Sequence, residues 1–121
     1  MARVTGIGGV FFKAKDPVTL KQWYVEHLGF QIEDDGTVMF KWDSDKGLTV
    51  WETFEIGTDY FEPSAAPFMI NYRVDDLDGL LAQLRAAGVV VEERIDEEPY
   101  GRFGWAMDPE GNRIELWEPP A

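Results

Sequence analysis

The sequence predicts an α+β fold built from two consecutive βαβββ units. Segments 16–29 and 75–88 each begin with an aspartate, carry apolar residues at helical spacing, and end in a glycine 13 positions later. Each segment follows a strand-like run and precedes three more such runs. Because the same order of elements recurs about 60 residues along the chain, the two halves are interpreted as an internal repeat.

The first helix is predicted between Asp16 and Gly29, after an apolar, β-rich run over residues 3–15. Aspartate is a good N-cap, and Pro17 suits the first helical position. Glycine commonly follows the last helical turn. The apolar stripe of this helix comprises Leu20, Trp23, Tyr24, His27 and Leu28. His27 is therefore interpreted as a packing residue of the helix and not as a metal ligand.

The second helix is predicted between Asp75 and Gly88. It follows residues 68–74, which alternate in character as a half-buried strand does. Asp75 and Asp76 supply the N-terminal cap. The apolar stripe comprises Leu77, Leu80, Leu81 and Leu84.

Three short strands are predicted after each helix, separated by glycine-containing turns. They span 30–34, 37–42 and 47–54 in the first unit, and 89–95, 102–107 and 112–118 in the second.

The length of 121 residues predicts a single domain over 1–121. Its first module covers about 3–55, a linker with two prolines about 56–66, and its second module about 67–119.

Charge and composition exclude several classes of protein. The formal net charge is −12, which disfavours binding to the phosphates of nucleic acid. The chain has no cysteine, which excludes a disulfide scaffold, a thiolate zinc site and a cysteine nucleophile. It has one histidine, which excludes a histidine-rich metal site. No apolar run approaches the roughly 20 residues that span a bilayer, and no secretory leader is recognised. We therefore expect a cytoplasmic protein that binds neither nucleic acid nor membranes.

Three motifs resemble the vicinal oxygen chelate superfamily, which includes glyoxalase I, bleomycin-resistance proteins and extradiol dioxygenases. The most specific is Asp108-Pro109-Glu110-Gly111-Asn112-Arg113-Ile114-Glu115-Leu116, which is similar to the closing turn and strand of that family. Trp23-Tyr24 with Leu28-Gly29-Phe30, and Val74-Asp75-Asp76-Leu77, support the resemblance. The resemblance implies two βαβββ modules that form a half-barrel with a cleft.

The resemblance also implies which positions would hold a divalent metal in the cleft. The first-strand ligand positions correspond to Gly9 and Met69, and the last-strand positions to Glu52 and Glu115. Glycine has no ligating side chain, and a thioether is a soft ligand that suits hard or borderline ions poorly. At most two ligands remain, so the site is predicted to be degenerate. The cofactor stays open between none and a weakly held divalent ion, and Glu52 with Glu115 could instead share a proton.

Strand alternation predicts which side chains face the cleft. If Gly9 and Met69 face it, so do Phe11, Asn71 and Arg73, and Glu115 and Trp117 follow on the last strand. The glycine-flanked segment 100–105 adds an arginine and a tryptophan. The candidate ligand-binding residues are Phe11, Asn71, Arg73, Arg102, Trp105 and Trp117. Alternatively, Phe11 and Trp117 pack against a partner subunit and Glu115 is structural.

Two functions follow from this interpretation. The first is a small-molecule-binding protein that sequesters an aromatic or partly apolar ligand without catalysis, for which the acidic charge favours a cation. The second is an enzyme, a metal-assisted lyase, isomerase or dioxygenase that uses Glu52 and Glu115, or a metal-free catalyst with Glu115 as the catalytic acid–base. The resemblance implies a homodimer in either case.

Overall fold

The structure, a computed structural model, describes residues 2–3, 7–42 and 46–121. Its elements are α1 (Pro17–Leu28), β1 (Asn71–Arg73), α2 (Leu77–Ala86), β2 (Asp96–Glu98), β3 (Gly101–Met107) and β4 (Arg113–Glu118). The four strands form one sheet in the order β1-β4-β3-β2, with β1 parallel to β4 and the other pairs antiparallel. The α+β class is confirmed. The second unit has a strand, a helix and three further strands, but β2 lies at Asp96–Glu98 and not at the predicted 89–95, where Val91 forms only an isolated bridge to Ala106.

Both helices begin at the predicted aspartates. The Asp16 carboxylate accepts a hydrogen bond from the backbone N–H of Thr19, and its bonds to Thr19 lower the pKa of Asp16. Asp76 caps α2 through the N–H of Gly79. Gly29 follows α1 with a φ of 71°, a left-handed conformation in which glycine carries no side-chain penalty. The local signals in the sequence therefore located both helices.

The core lies between the helices and one face of the sheet. Its buried members are Leu20, Tyr24, Leu77, Leu81, Leu84, Ala106, Ile114 and Leu116. Half-buried Tyr72 packs against this cluster, and burial raises its pKa to about 12. His27 lies half-buried with its ring 5.3 Å from that of Trp23, consistent with a packing role. Neither described helix is long enough and apolar enough to cross a bilayer.

The closing turn of the second module attaches α1 to the sheet. Buried Asp108 accepts hydrogen bonds from the Tyr24 hydroxyl at 2.8 Å and from the backbone N–H groups of Glu110 and Asn112. Burial raises the pKa of Tyr24, and the adjacent Asp108 carboxylate adds to the shift. The Glu110 carboxylate accepts from the N–H groups of residues 15 and 16, just before α1. The family-like turn thus joins the two halves of the chain.

The first half departs from the predicted pattern, because the segments predicted as strands form no ladder among the described residues. The predicted turn between the first two of these segments is flanked by one isolated bridge, between Ile32 and Val38. The described parts of 37–42 and 47–54 do not form strands. Part of the predicted first strand, 4–6, lies outside the described residues. Many apolar side chains in this half are exposed, including Phe11 at 95%, Trp42 at 87% and Trp51 at 76%. A strand requires a hydrogen-bonding neighbour and cover for its apolar face, and the described residues supply only one bridge and a few ring contacts, such as Phe54 with Tyr60, to this half.

Candidate functional site

The sheet has one face covered by the helices and one open face. A methyl group on Gly104 would lie 3.1 Å from the Leu81 side chain, so Gly104 faces α2. Side chains alternate along a strand, so the neighbours of Gly104 in β3, Phe103 and Trp105, point to the other side. In β4, Ile114 and Leu116 belong to the core, which places the residues between and beside them on the same side as Trp105. This side of the sheet is called the open face below.

Glu115 is the centre of a hydrogen-bond network on the open face. The register of the sheet sets it beside Asn71 on one side and Trp105 on the other. Asn71 Nδ2 donates to Glu115 Oε1 at 2.7 Å, and Trp105 Nε1 donates to Oε2 at 3.0 Å. The Tyr60 hydroxyl donates to Oε2 at 2.6 Å. Glu115 is only 8% exposed, so these internal donors replace water around its carboxylate.

Trp105 is fully buried because two arginines cover it. The guanidinium carbon of Arg94 lies 4.6 Å from the ring centroid and that of Arg113 lies 4.9 Å away. Arg113 is held by Glu92 through two bonds of 2.6 and 2.9 Å. The predicted stacking of a ligand directly on Trp105 is therefore blocked in this conformation, and Trp105 instead positions Glu115.

A second row of side chains lies two residues further along the strands. Arg73 on β1 pairs in register with Trp117 on β4, and Trp117 pairs with Phe103 on β3. The rings of Phe103 and Trp117 are nearly parallel, with centroids 6.2 Å apart. Trp117 Nε1 donates to the Tyr100 carbonyl at 2.9 Å, which fixes the indole. Both rings remain half-exposed, so this row offers an accessible aromatic surface.

Glycine is required at position 101 beside this aromatic row. Its φ of 132° is rarely adopted by residues with a side chain. A methyl group there would collide with the indole nitrogen of Trp117 and the carbonyl oxygen of Glu118. The glycine signal in segment 100–105 therefore reflects close approach of the backbone to the Trp117 ring.

Sequence reasoning treated Tyr60 only as part of a connection. In the structure its hydroxyl binds Glu115, and its carbonyl accepts from Arg113 at 2.7 Å. Burial and the neighbouring Glu115 carboxylate raise the pKa of the Tyr60 hydroxyl. Its ring stacks on that of Phe54, with centroids 5.4 Å apart. An aromatic pair, Tyr60-Phe61, in a segment otherwise rich in glycine, proline and polar residues was the available signal.

The structure brings some predicted site residues together and separates others. The open face carries five of the predicted site residues: Asn71, Arg73, Trp105, Glu115 and Trp117. Arg102 lies on the helix side of β3, where it binds Asp78 of α2 at 2.9 Å.

Among the described residues, Phe11 and Glu52 make their contacts outside this set. Phe11 is almost fully exposed, and its ring occupies the space beside Gly9, since a methyl group there would be 3.2 Å from it. This ring therefore fills the space that a side chain at position 9 would enter. Glu52 is exposed, and its carboxylate accepts from the adjacent backbone N–H of Thr53.

The side chains at the implied metal positions are engaged by other protein groups in this structure. Both Glu115 oxygens face hydrogen-bond donors, and Glu52 is not among the partners of Glu115. The Met69 sulfur accepts from Arg113 at 3.6 Å, which puts a cationic group at this end of the open face. Over the described ranges, no three carboxylate or imidazole side chains gather as a metal site would require.

Comparison with known proteins agrees with this architecture. The family model described as Glyoxalase/Bleomycin resistance protein/Dioxygenase superfamily matches residues 6–116. The chain belongs to this superfamily. A comparison with curated proteins gave no significant match.

Solved structures of other proteins share the superfamily fold. TnmS3, described as an antibiotic binding protein from Streptomyces sp. CB03234, is 24% identical, covers 99% of this chain and 100% of its own, and gives a TM-score of 0.64. A protein from the mobile metagenome of V. Pseudocholerae is 17% identical with coverages of 100% and 99% and a TM-score of 0.63. TioX from Micromonospora sp. ML1 is 16% identical with coverages of 89% and 91% and a TM-score of 0.52. At these identities the likeness concerns the fold.

Proposed function

We propose that this superfamily member binds a small, partly aromatic molecule on its open face and sequesters it without metal or catalysis. The observation that carries the proposal is the half-exposed aromatic pair Phe103–Trp117, flanked by the polar side chains of Asn71 and Arg73. Aromatic walls with a few fixed polar groups are typical of small-molecule sites. The description of TnmS3 as an antibiotic binding protein supports the same class of ligand.

The state of Glu115 favours binding over catalysis. A carboxylate that acts as a base or a metal ligand needs an accessible oxygen, whereas both oxygens here accept from Tyr60, Asn71 and Trp105. The network holds the three elements that carry these residues in one geometry. A preorganised surface loses less entropy when it binds a ligand. We therefore assign Glu115 a positioning role.

Replacing Trp117 with alanine is expected to weaken ligand binding at least tenfold. An aromatic stack contributes about 1 kcal/mol beyond the buried area, and the lost contact area adds to it. Intrinsic fluorescence and calorimetric titration with bleomycin, mitomycin C and planar aromatic dyes measure the change. Arg102→Met on the helix side of the same sheet is the control, with an expected change below twofold. Failure of every probe to bind, or equal losses in both variants, would overturn the proposal.

We also propose that the protein is a homodimer whose first-half segments are covered by a second copy. Large exposed side chains of this half include Phe11, Phe40, Trp42, Leu48, Val50 and Trp51. Large exposed apolar patches mark interaction sites on soluble proteins, and these side chains supply the material for one. A second copy carries the same unpaired extended segments, so a two-fold arrangement would satisfy both copies at once.

Sedimentation at micromolar concentration is expected to give a species of twice the 13.8 kDa chain mass. Trp51→Asp buries a charge in the proposed interface and should shift the protein to monomer, with a dissociation constant raised more than 100-fold. Val18→Asp is the matched control, because Val18 is 80% exposed on α1, outside the apolar segments. A wild-type protein that sediments at the mass of one chain would refute the dimer.

A further inference from the structure

The hydrogen bond between Asn71 and Glu115 fixes which end of the Asn71 amide faces outward. A carboxylate is an acceptor, so Asn71 must direct its NH2 group towards Glu115 Oε1, at 2.7 Å. The amide oxygen, Oδ1, then points away from the carboxylate. Asn71 is exposed, and no described residue donates to its Oδ1. The open face therefore presents a hydrogen-bond acceptor in a defined orientation.

This acceptor lies next to the aromatic row. Residues two apart on a strand are separated by about 7 Å. The Asn71–Glu115 row and the Arg73–Trp117 row are therefore close enough for one fused aromatic ring system to contact both. A planar aromatic ligand lying against Trp117 would bring one edge to Asn71.

We propose that Asn71 is a specificity-determining residue that selects ligands with an O–H or N–H donor on the edge of an aromatic ring system. This inference rests on the proposed function, because it assigns a chemical class to the ligand of the same face. A phenol, a hydroxylated polycyclic ring or an aromatic amine meets the requirement. A ligand that offers only acceptors at this edge would face the Asn71 carbonyl without a hydrogen bond, and it would leave that oxygen partly desolvated.

Glu115 acts through Asn71 and is a positioning residue. Its Oε2 receives two donors, from Tyr60 and Trp105, and its Oε1 receives the Asn71 amide. In Glu115→Gln the two donors require the glutamine oxygen at the Oε2 position. The glutamine NH2 group then faces Asn71, which must turn its carbonyl inward and its NH2 outward. The substitution thus reverses the polarity that the open face presents, while the shape of the face is kept.

A matched pair of probes tests the inference: 2-naphthol, which carries the donor, and 2-methoxynaphthalene, which lacks it. The selectivity is the dissociation constant of the methoxy compound divided by that of the naphthol, measured on the full-length protein. In Asn71→Leu we expect the selectivity to fall about fivefold to tenfold relative to wild type, which is the effect of one hydrogen bond. We expect the affinity for 2-methoxynaphthalene to stay the same or rise, because leucine keeps the size of the side chain and removes the partly desolvated oxygen.

Glu115→Gln should lower the selectivity by a similar factor through the reversed amide. A purely structural role of Glu115 would weaken both probes equally and leave the selectivity unchanged.

The outcomes separate the inference from the proposed function. If both probes bind wild type and compete for the Trp117 surface, but Asn71→Leu leaves the selectivity within twofold, the donor requirement is overturned and the aromatic site stands. If neither probe binds wild type, the aromatic site is overturned together with the inference. Circular dichroism and urea unfolding of each variant verify that the native fold is retained. If Asn71→Leu fails to fold, Asn71→Thr with a shorter side chain replaces it, with the same expected loss of selectivity.

Discussion

Asp108→Ala is expected to lower the free energy of unfolding by about 3 kcal/mol. Only 5% of the Asp108 surface is accessible to solvent, and the carboxylate oxygens accept four hydrogen bonds. Alanine leaves the Tyr24 hydroxyl and two backbone N–H groups without an acceptor in the interior. It also releases the turn that attaches α1 to the sheet. Urea unfolding followed by far-ultraviolet circular dichroism measures the loss.

Two variants control for the Asp108 result. Asp108→Asn keeps one carbonyl oxygen for the backbone N–H groups of the turn and should cost about 1 kcal/mol. Tyr24→Phe removes a single hydrogen bond and should cost about 1–2 kcal/mol because Asp108 stays buried with one partner fewer. An alanine variant no less stable than the asparagine variant would show that the turn does not depend on this carboxylate.

Arg113→Met is expected to destabilise the protein by about 3 kcal/mol and to release residues 58–62 from the sheet. Arg113 is only 6% exposed, and its guanidinium binds Glu92 twice and the Tyr60 carbonyl once. Methionine preserves the apolar stem and removes these bonds. Chymotrypsin cleavage after Tyr60 or Phe61 should become faster, and urea unfolding gives the change in stability.

Arg94 provides the matched control for Arg113. The two guanidinium groups lie at similar distances from the Trp105 ring, 4.6 and 4.9 Å. The Arg94 side chain is 58% exposed and pairs with Asp96 at the surface. Arg94→Met should leave the urea midpoint and the cleavage rate nearly unchanged, because solvent screens a surface pair. Equal effects of the two substitutions would assign the stabilisation to the Trp105 contact and not to the buried bonds of Arg113.

Local signals predicted the helices and the faces of the last strand. The caps at Asp16 and Asp76 depend on residues within one turn, so position in the sequence suffices to find them. Alternation along β4 put Glu115 and Trp117 on one face, and the core residues Ile114 and Leu116 occupy the other. The same alternation places Arg102 and Trp105 on opposite faces, because their positions differ by three, an odd number. Grouping segment 100–105 as one candidate site overlooked this parity.

Long-range contacts could not be predicted in the same way. Tyr60 reaches Glu115 across 55 positions, and Arg113 reaches the Tyr60 carbonyl across 53. Hydrophobic periodicity relates residues within one helix or strand. It does not indicate that a side chain in the linker will contact a strand more than 50 residues later. The exposed first half is a related case, because a strand-forming pattern indicates a preference for a neighbouring strand without identifying that neighbour.

Pattern and composition were sufficient to establish the α+β class and the resemblance to the superfamily, because caps, stripes and alternation are properties of adjacent residues. The chemical state of the open face depended on the folded chain. Glu115 is a carboxylate in any reading of the sequence, but its role follows from the three donors that the register of β1, β3 and β4 and the path of the linker bring to it. The sequence determines that residue 115 has a carboxylate. Neighbours distant in sequence determine whether the oxygens of that carboxylate are available to a ligand.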